Sequence, residues 1–167
     1  TNYFTVVLSM VAVVLMTIYP FCKRWINFPQ VILGLTWGWV VPMSFAAVGH
    51  NISFVAFALY LSVVFWTIAF DTLYAMVDRE DDIRVGVKST AVYWAGNELR
   101  HIALCQLCSL ILLAYCGHQS GRGWAFGAGI AITAICFVRQ LRLANSREKS
   151  DCLNSFMNNH WVGMCIF

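Results

Sequence analysis

Long stretches without a charged residue alternate with short polar segments along the chain. Asp, Glu, Lys and Arg are absent from residues 1–22, 25–70, 101–121, 123–138 and 152–167. A helix needs about 20 apolar residues to cross the hydrocarbon core of a bilayer. The pattern therefore predicts membrane-spanning helices near residues 3–22, 29–48, 53–74, 99–117 and 122–140, and a sixth that begins near Leu153.

The longest of these stretches is divided by a predicted turn at Gly49, His50 and Asn51, because Gly and Asn favour turns. A transmembrane β-barrel would instead show segments of about ten residues with strict alternation, and no such pattern occurs. Of the 167 residues, 60% are hydrophobic and 11% are charged, whereas soluble domains have about 25% charged residues. We therefore predict an all-α, multi-pass transmembrane helical bundle that forms a single domain over residues 1–167.

Charged residues concentrate on one side of the predicted bundle. If successive spans alternate in direction, all the basic residues except Arg122, and all the acidic residues, fall at connections on the same side. By the positive-inside rule this side is cytoplasmic. The net charge of +3 comes without a basic run, so nucleic acid is not an expected partner. We expect the chemistry of the protein on the cytoplasmic side.

The densest polar signal is an acidic stripe that continues directly out of the third predicted span. Asp71, Tyr74, Asp78 and Asp82 are spaced i, i+3, i+7 and i+11, which places them along one face of a helix. Carboxylates one turn apart repel by about 3 kcal/mol at an effective dielectric constant of about 20. Mg²⁺ relieves such repulsion and commonly shares its carboxylates with a phosphorylated substrate. The alternative is a solvated helix end, but acidic residues at membrane depth, such as Asp71, are usually functional.

Basic residues occur in two segments that the same topology brings to this side. Lys23 and Arg24 end the first predicted span, four and five residues after Tyr19, and Lys88 follows a Gly-containing turn after the acidic stripe. Carboxylates with a metal ion beside Lys and Arg form a receptor for diphosphate, because the cations neutralise its oxygens. For Lys23 and Arg24 the alternative is that they only anchor the helix end at the membrane surface.

The motifs resemble a known family. The run DTLYAMVDREDDIRVGVKSTA resembles the second aspartate-rich motif of the UbiA family of intramembrane prenyltransferases, in the form found in 4-hydroxybenzoate polyprenyltransferases. The segments YPFCKR, FPQVILGLTWGWVVPMSFAAVG and NSFMNNHWVG are also similar to that subfamily. The resemblance extends over nearly the whole chain.

This resemblance implies an intramembrane enzyme of about nine spans, whose cavity opens towards the cytoplasm and sideways to lipid. Such enzymes bind a polyprenyl diphosphate through Mg²⁺ and two aspartate-rich motifs. The resemblance assigns the metal-binding acids of the second motif to Asp78 and Asp82. It assigns the Tyr-x-x-x-Lys element at the diphosphate to Tyr19 and Lys23. Beside this element lie two further candidates for diphosphate binding, Arg24 and Lys88.

One element of the family pattern is absent from the sequence. The first aspartate-rich motif, an Asn-Asp pair with further Asp residues on an earlier helix, has no counterpart here. The resemblance therefore implies that the chain is the C-terminal two-thirds of the domain, with an incomplete final helix. Because half of the metal ligands would be missing, we expect this segment alone to be inactive.

The function implied is transfer of a polyprenyl group to the ring carbon ortho to the hydroxyl of 4-hydroxybenzoate, in ubiquinone biosynthesis. Asp71 is a further candidate, for orienting this acceptor or relaying the ring proton. We expect the enzyme in the bacterial or mitochondrial inner membrane, with its site facing the cytoplasm or matrix. Haem, homogentisate or a naphthoate are alternative acceptors. An ion-coupled transporter is the alternative from another class. A transporter would show inverted repeats and acids near the membrane midplane, whereas in this sequence the acids cluster at one side and no repeat is seen.

Two lesser features favour structural roles. The seven cysteines are dispersed through apolar segments, so we interpret them as small buried hydrophobic residues rather than zinc ligands or disulfides. Gly34 and Gly38 are spaced for close helix approach, and Pro42 one turn later predicts a kink.

Overall fold

A computed structural model describes residues 2–49 and 51–166 of the chain. Thr1, His50 and Phe167 lie outside this range, so the described part of the predicted turn is Gly49 and Asn51. Within the range the secondary structure is entirely helical, which confirms the predicted all-α bundle. The helices are α1 (Tyr3–Trp25), α2 (Pro29–Gly38), α3 (Val40–Ala47), α4 (Phe54–Val85), α5 (Thr90–Tyr93), α6 (Glu98–Gln119), α7 (Trp124–Ala144), α8 (Lys149–Met157) and α9 (Asn159–Ile166).

Five segments of the described chain are long and apolar enough to cross a membrane. They are Tyr3–Trp25, Pro29–Ala47, Phe54–Val85, Glu98–Gln119 and Trp124–Ala144. Each one coincides with a span that the charge-free stretches predict. The chain is therefore an integral membrane protein with the predicted order of spans.

The second span consists of two helices rather than one. α2 ends at Gly38 and α3 begins at Val40. Pro42 lacks the N–H that would bond to the carbonyl of Gly38, and its ring crowds that carbonyl, so the helix breaks one turn before the proline. The indole Nε1 of Trp39, at the break, donates a 2.9 Å hydrogen bond to the carbonyl oxygen of Leu8 in α1. The predicted kink is thus a full interruption tied to the first span.

The helix of the third span continues past the predicted membrane boundary near residue 74 and ends at Val85, which confirms that the acidic stripe from Asp71 to Asp82 is helical. Its 32 residues measure about 48 Å at 1.5 Å per residue, more than the hydrocarbon core of about 30 Å. The C-terminal turns of α4 therefore extend beyond the apolar layer. α4 ends at Gly86, whose φ of 72° is left-handed and favours glycine.

α4 is the central helix of the bundle and packs against α2, α5, α6 and α8. Its buried Leu73 and Met76 join Ile102 of α6 and Cys152 of α8 in the main apolar cluster. This cluster lies beside the acidic stripe along the same helix. The core therefore fixes the position of the turns that carry the acids.

Gly34 and Gly38 of α2 lie against α4, which confirms the predicted close approach. A Cβ atom on Gly34 would lie 2.9 Å from the carbonyl oxygen of Val64. A Cβ on Gly38 would lie 3.0 Å from the ring of Tyr60. The two glycines therefore allow α2 and α4 to pack with their backbones close together.

The segment predicted as a sixth span, from near Leu153, is not among the five membrane-crossing segments of the described chain. It consists of two short helices, α8 from Lys149 and α9 from Asn159. The side-chain Oδ1 of Asn159 accepts a 2.9 Å hydrogen bond from the indole Nε1 of Trp66 in α4. The polar residue near the break thus joins two helices. All seven cysteines, each within the described part of the chain, are free thiols.

Candidate functional site

The three candidate carboxylates are on the C-terminal half of α4. Asp71, Asp78 and Asp82 are each half-buried, and the helix is continuous through all of them, so the spacing does place them along one face. The negative charge of Asp78 acts on both of the other carboxylates. The arrangement concentrates negative charge where α4 leaves the apolar layer.

The side chain of Lys23, in the last turn of α1, lies near these carboxylates. Its ammonium charge acts on the carboxylates of both Asp71 and Asp82. Its Nζ atom also lies 5.9 Å from the centre of the Tyr19 ring, within the range of a cation–π contact. The structure therefore brings the Tyr-x-x-x-Lys element next to the acidic stripe.

The loop after α4 is bonded directly to the end of α1. The main-chain N–H of Lys88 donates a 2.9 Å hydrogen bond to the carbonyl oxygen of Lys23. The Nζ of Lys88 donates a 3.0 Å bond to the carbonyl oxygen of Trp25. The last carbonyls of a helix have no partner within the helix, so Lys88 acts as a cap supplied by a distant segment.

Residues next to Lys88 hold this loop against the bundle. The side-chain Oε1 of Gln30 accepts a 3.0 Å hydrogen bond from the buried N–H of Thr90, and the hydroxyls of Thr90 and Thr72 are 2.7 Å apart. The hydroxyl of Ser89 lies beside the Asp82 carboxylate and also caps α5. The loop is thus fixed by contacts to both α2 and α4.

Arg24 differs from Lys23 in its relation to the carboxylates. Both side chains are exposed and make no hydrogen bond or ion pair with another described residue, but of the two it is the Lys23 charge that acts on Asp71 and Asp82. The place of Arg24 in the last turn of α1 lets its charge interact favourably with the helix dipole. The structure therefore brings Tyr19 and Lys23 to the carboxylates, holds the Lys88 side chain against the end of α1, and leaves Arg24 exposed at the edge of the site.

The donor set of this site fits a hard divalent cation that is completed by a ligand. In residues 2–49 and 51–166, no three His, Cys, Asp or Glu side chains converge as metal ligands. Mg²⁺, however, is usually held by only one or two carboxylates together with water and substrate phosphates. Asp78 and Asp82, one turn apart on one helix face, supply such a pair. These two carboxylates therefore have the donor chemistry and the spacing to hold one divalent cation together with a phosphorylated ligand.

A buried ion cluster supports the end of α4 from its other side. The carboxylate of Glu98, at the start of α6, is almost completely buried. It lies 3.3 Å from Arg79 and 3.3 Å from Arg147. Nearby, the Lys149 ammonium lies 3.5 Å from Glu80 and 3.6 Å from Asp81. Three segments far apart in sequence, around residues 79, 98 and 147, are thereby joined.

These supporting residues could not be recognised as a group from the sequence. Glu98 and Arg147 lie in separate polar segments, Arg147 within the mixed charged run 147–151, and Gln30 sits in an apolar segment. The sequence contained one weak signal for Gln30. It is a polar residue in the first turn of an otherwise apolar helix, directly after Pro29, and such a residue tends to face the bundle rather than lipid. Arg147 carries a positive φ of 60°, a conformation that sequence gives no reason to expect for arginine.

Comparison with known proteins places the chain in an enzyme family. The model of the UbiA prenyltransferase family matches residues 1–163. Curated relatives include the 4-hydroxybenzoate octaprenyltransferases of Chromohalobacter salexigens, 44% identical over 100% of this chain and 56% of the relative, and Actinobacillus pleuropneumoniae serotype 5b, 42% identical over 99% of this chain and 57% of the relative. The chain thus spans just over half the length of these relatives.

A solved structure supports the fold. The apo structure of a UbiA homolog from Aeropyrum pernix K1 superposes with a TM-score of 0.80 at 21% identity, over 99% of this chain and 64% of that protein. The family model and the relatives cover the α1 end, the acidic stripe of α4 and the loop that carries Lys88. On these matches, the chain belongs to the UbiA prenyltransferase family.

Proposed function

We propose that this chain carries the second aspartate-motif half of an enzyme that transfers a polyprenyl group from polyprenyl diphosphate to 4-hydroxybenzoate, for ubiquinone biosynthesis. The observation that supports this most strongly is that Lys23, at the end of α1, lies near enough to both Asp71 and Asp82 of α4 for its charge to act on each carboxylate. A cation beside carboxylates suits a ligand that brings both phosphate oxygens and a divalent metal. The names of the curated relatives point to octaprenyl diphosphate as the donor.

The proposed reaction is an electrophilic aromatic substitution. The bond between the allylic carbon and the diphosphate oxygen breaks, and its electron pair leaves with the diphosphate. The ring carbon ortho to the hydroxyl supplies the electron pair of the new carbon–carbon bond. The ring proton then passes to a base, so the products are prenylated 4-hydroxybenzoate, diphosphate and a proton.

Each candidate residue has a role in this scheme. Asp78 and Asp82 would hold Mg²⁺, and the bound ion would neutralise the negative charge that grows on the diphosphate as it leaves. The ammonium of Lys23 binds diphosphate oxygens, and Tyr19 orients that ammonium. Arg24 and Lys88 extend the positive charge around the same group. Asp71, deeper along α4, orients the acceptor or receives the ring proton.

The membrane environment suits both substrates. A long isoprenoid tail stays in the lipid, while the diphosphate binds at the end of α4 that leaves the apolar layer. Burial of the reacting carbon protects the carbocation from water. The distribution of basic residues supports a position of this end on the cytoplasmic side of a bacterial inner membrane, or on the matrix side in mitochondria.

The alternatives have less support. Haem, homogentisate and naphthoate remain conceivable acceptors for this fold, but the names of the curated relatives favour 4-hydroxybenzoate. An ion-coupled transporter would need its acids near the membrane midplane. Asp78 and Asp82 instead occupy the end of α4, and the family assignment favours prenyl transfer.

The test is activity of a completed enzyme. The part of the Chromohalobacter salexigens relative that this chain does not match is joined to residues 1–167, and the joined protein is expressed in a bacterium that lacks its own 4-hydroxybenzoate prenyltransferase. We expect membranes of this strain to form prenylated 4-hydroxybenzoate with Mg²⁺ and polyprenyl diphosphate.

The same membranes are offered homogentisate and a naphthoate as competing acceptors. Preference for either would contradict the proposed acceptor while leaving prenyl transfer intact. The absence of every product from correctly inserted protein would contradict the proposed function. The unmatched part of the relative, expressed alone, is the control for residual activity.

A further inference from the structure

A groove between α6 and α7 lies outside the site described above. Its volume is about 440 Å³, within the range typical of ligand sites. The lining comes from one face of α6 and from positions of α7 spaced i, i+3, i+4 and i+7, so the groove follows both helices. Its lining residues are Leu99, Arg100, Ala103, Val138, Leu141, Arg142 and Asn145.

Basic and apolar residues of this groove separate along the helices, apart from Leu99, which precedes Arg100 in the first turn of α6. Arg100 is in the first turn of α6 and Arg142 in the last turn of α7, so both lie at the same end of the antiparallel pair. Ala103 and Val138 are further from that end, by about 4.5 Å and 6 Å at the helical rise. The groove is therefore cationic at the membrane surface and apolar towards the membrane interior.

The two arginines have no acidic partner in the described chain. The ion pairs of residues 2–49 and 51–166 involve neither Arg100 nor Arg142. Glu98, the acid closest in sequence to Arg100, is already paired with the guanidinium groups of Arg79 and Arg147. Arg100 also sits near a helix N-terminus, where a positive charge opposes the helix dipole. An external anion would satisfy both guanidinium groups.

From this arrangement we infer that the groove binds an anionic phospholipid of the cytoplasmic leaflet. Arg100 and Arg142 bind the phosphate, with bonds from their planar guanidinium groups. Asn145, at the same end, is placed to contact the polar headgroup. An acyl chain lies along Ala103, Val138 and Leu141. Basic pockets between membrane helices on this side are suited to anionic lipid headgroups.

The site is separate from the proposed catalytic site. It uses the side of α6 that faces α7, whereas the acidic stripe and Lys23 lie on α4 and α1. The inference therefore does not depend on prenyl transfer. If the two arginines only anchored the helix ends and set the topology, no lipid would bind preferentially in this groove.

The experiment counts bound lipid by native mass spectrometry. The 167-residue chain, purified in neutral detergent, is titrated with phosphatidylglycerol, phosphatidylcholine, inorganic phosphate or geranyl diphosphate. Arg100→Gln/Arg142→Gln removes the groove charges. Arg84→Gln/Arg122→Gln removes two charges elsewhere and is the matched control, and Arg100→Lys/Arg142→Lys keeps the charge. Helix content by circular dichroism checks that each variant is folded.

We expect one phosphatidylglycerol to bind in preference to phosphatidylcholine. Its affinity should fall by about 30-fold in the groove variant, since each basic residue near an anionic lipid contributes roughly five-fold. The control variant and the Lys variant should keep most of the affinity. Equal losses in the groove and control variants would overturn the proposal. So would stoichiometric binding of inorganic phosphate alone, or displacement of the lipid by geranyl diphosphate.

Discussion

The main-chain N–H of Lys88 donates a 2.9 Å hydrogen bond to the carbonyl oxygen of Lys23. This bond joins the loop after the acidic stripe to the last turn of α1, which carries a basic candidate for diphosphate binding. A second bond, from the Nζ of Lys88 to Trp25, strengthens the connection. A main-chain hydrogen bond therefore fixes the loop that follows the acidic stripe of α4 against the basic end of α1.

Loss of either carboxylate of the second motif should nearly abolish prenyl transfer. In the joined protein, Asp78→Asn and Asp82→Asn each remove a proposed metal ligand, and we expect kcat/KM to fall by about 100-fold or more, equivalent to roughly 2.7 kcal/mol. The measurement is product formation at several Mg²⁺ concentrations. Glu80→Gln, which changes an exposed acid paired only with Lys149, is the control and should remain close to wild type.

Basic residues at the end of α1 should matter more than basic residues elsewhere on the same side. Lys23→Ala should raise the KM for the donor by about ten-fold, as expected from loss of one charged hydrogen bond. Arg24→Ala should have a smaller effect, because its side chain lies at the edge of the site. Arg139→Ala, on α7, is the matched control. Similar small losses in all three variants would favour simple membrane anchoring.

The ion cluster around Glu98 predicts a non-additive effect on stability. Arg79→Gln or Arg147→Gln leaves the buried carboxylate with one partner, but the double variant leaves it with none, so the double loss should exceed the sum of the single losses by about 1–3 kcal/mol. The measurement is thermal unfolding of the 167-residue chain in detergent, followed by circular dichroism.

Neutralising the acid provides the check on this cluster. Glu98→Gln added to the double variant removes the unpaired charge, so part of the lost thermal stability should return. If the triple variant is no more stable than the double variant, the buried charge is not the cause of the loss.

Close packing of α2 on α4 predicts a further stability difference. Gly34→Ala places a methyl group 2.9 Å from a backbone oxygen of α4, which cannot move aside as a side chain can. We expect a destabilisation of about 1–3 kcal/mol, typical of overpacking. Gly127→Ala, in α7, meets no atom within 4 Å and should leave the unfolding midpoint unchanged or slightly raised. Equal midpoints for the two variants would contradict the packing argument.

Much of this architecture could be predicted because a bilayer imposes a simple rule on composition. The charge-free stretches located all five spans, since a charged side chain in the hydrocarbon core is costly. The same rule placed the membrane boundary near residue 74, and the spacing of the acidic stripe predicted that the helix continues past that boundary. A helix that leaves the membrane can remain a helix, as α4 does as far as Val85.

The candidate site was predictable only where it lies on one helix. The i, i+7 and i+11 spacing of Asp71, Asp78 and Asp82 is local, so helix geometry alone aligns them. The contacts that complete the site are not local: Lys88 meets Trp25, and Glu98 meets Arg147. No periodicity encodes such pairs, because they depend on how separate segments pack.

The most direct test of the central claim is diphosphate binding by the joined protein. Radiolabelled geranyl diphosphate is titrated in detergent with and without Mg²⁺, for the wild type, for Asp78→Asn/Asp82→Asn and for the control Glu80→Gln. The account predicts Mg²⁺-dependent binding in the wild type and the control, and its loss in the double variant. Mg²⁺-dependent binding of equal affinity in the double variant would contradict the assignment of Asp78 and Asp82 to the metal.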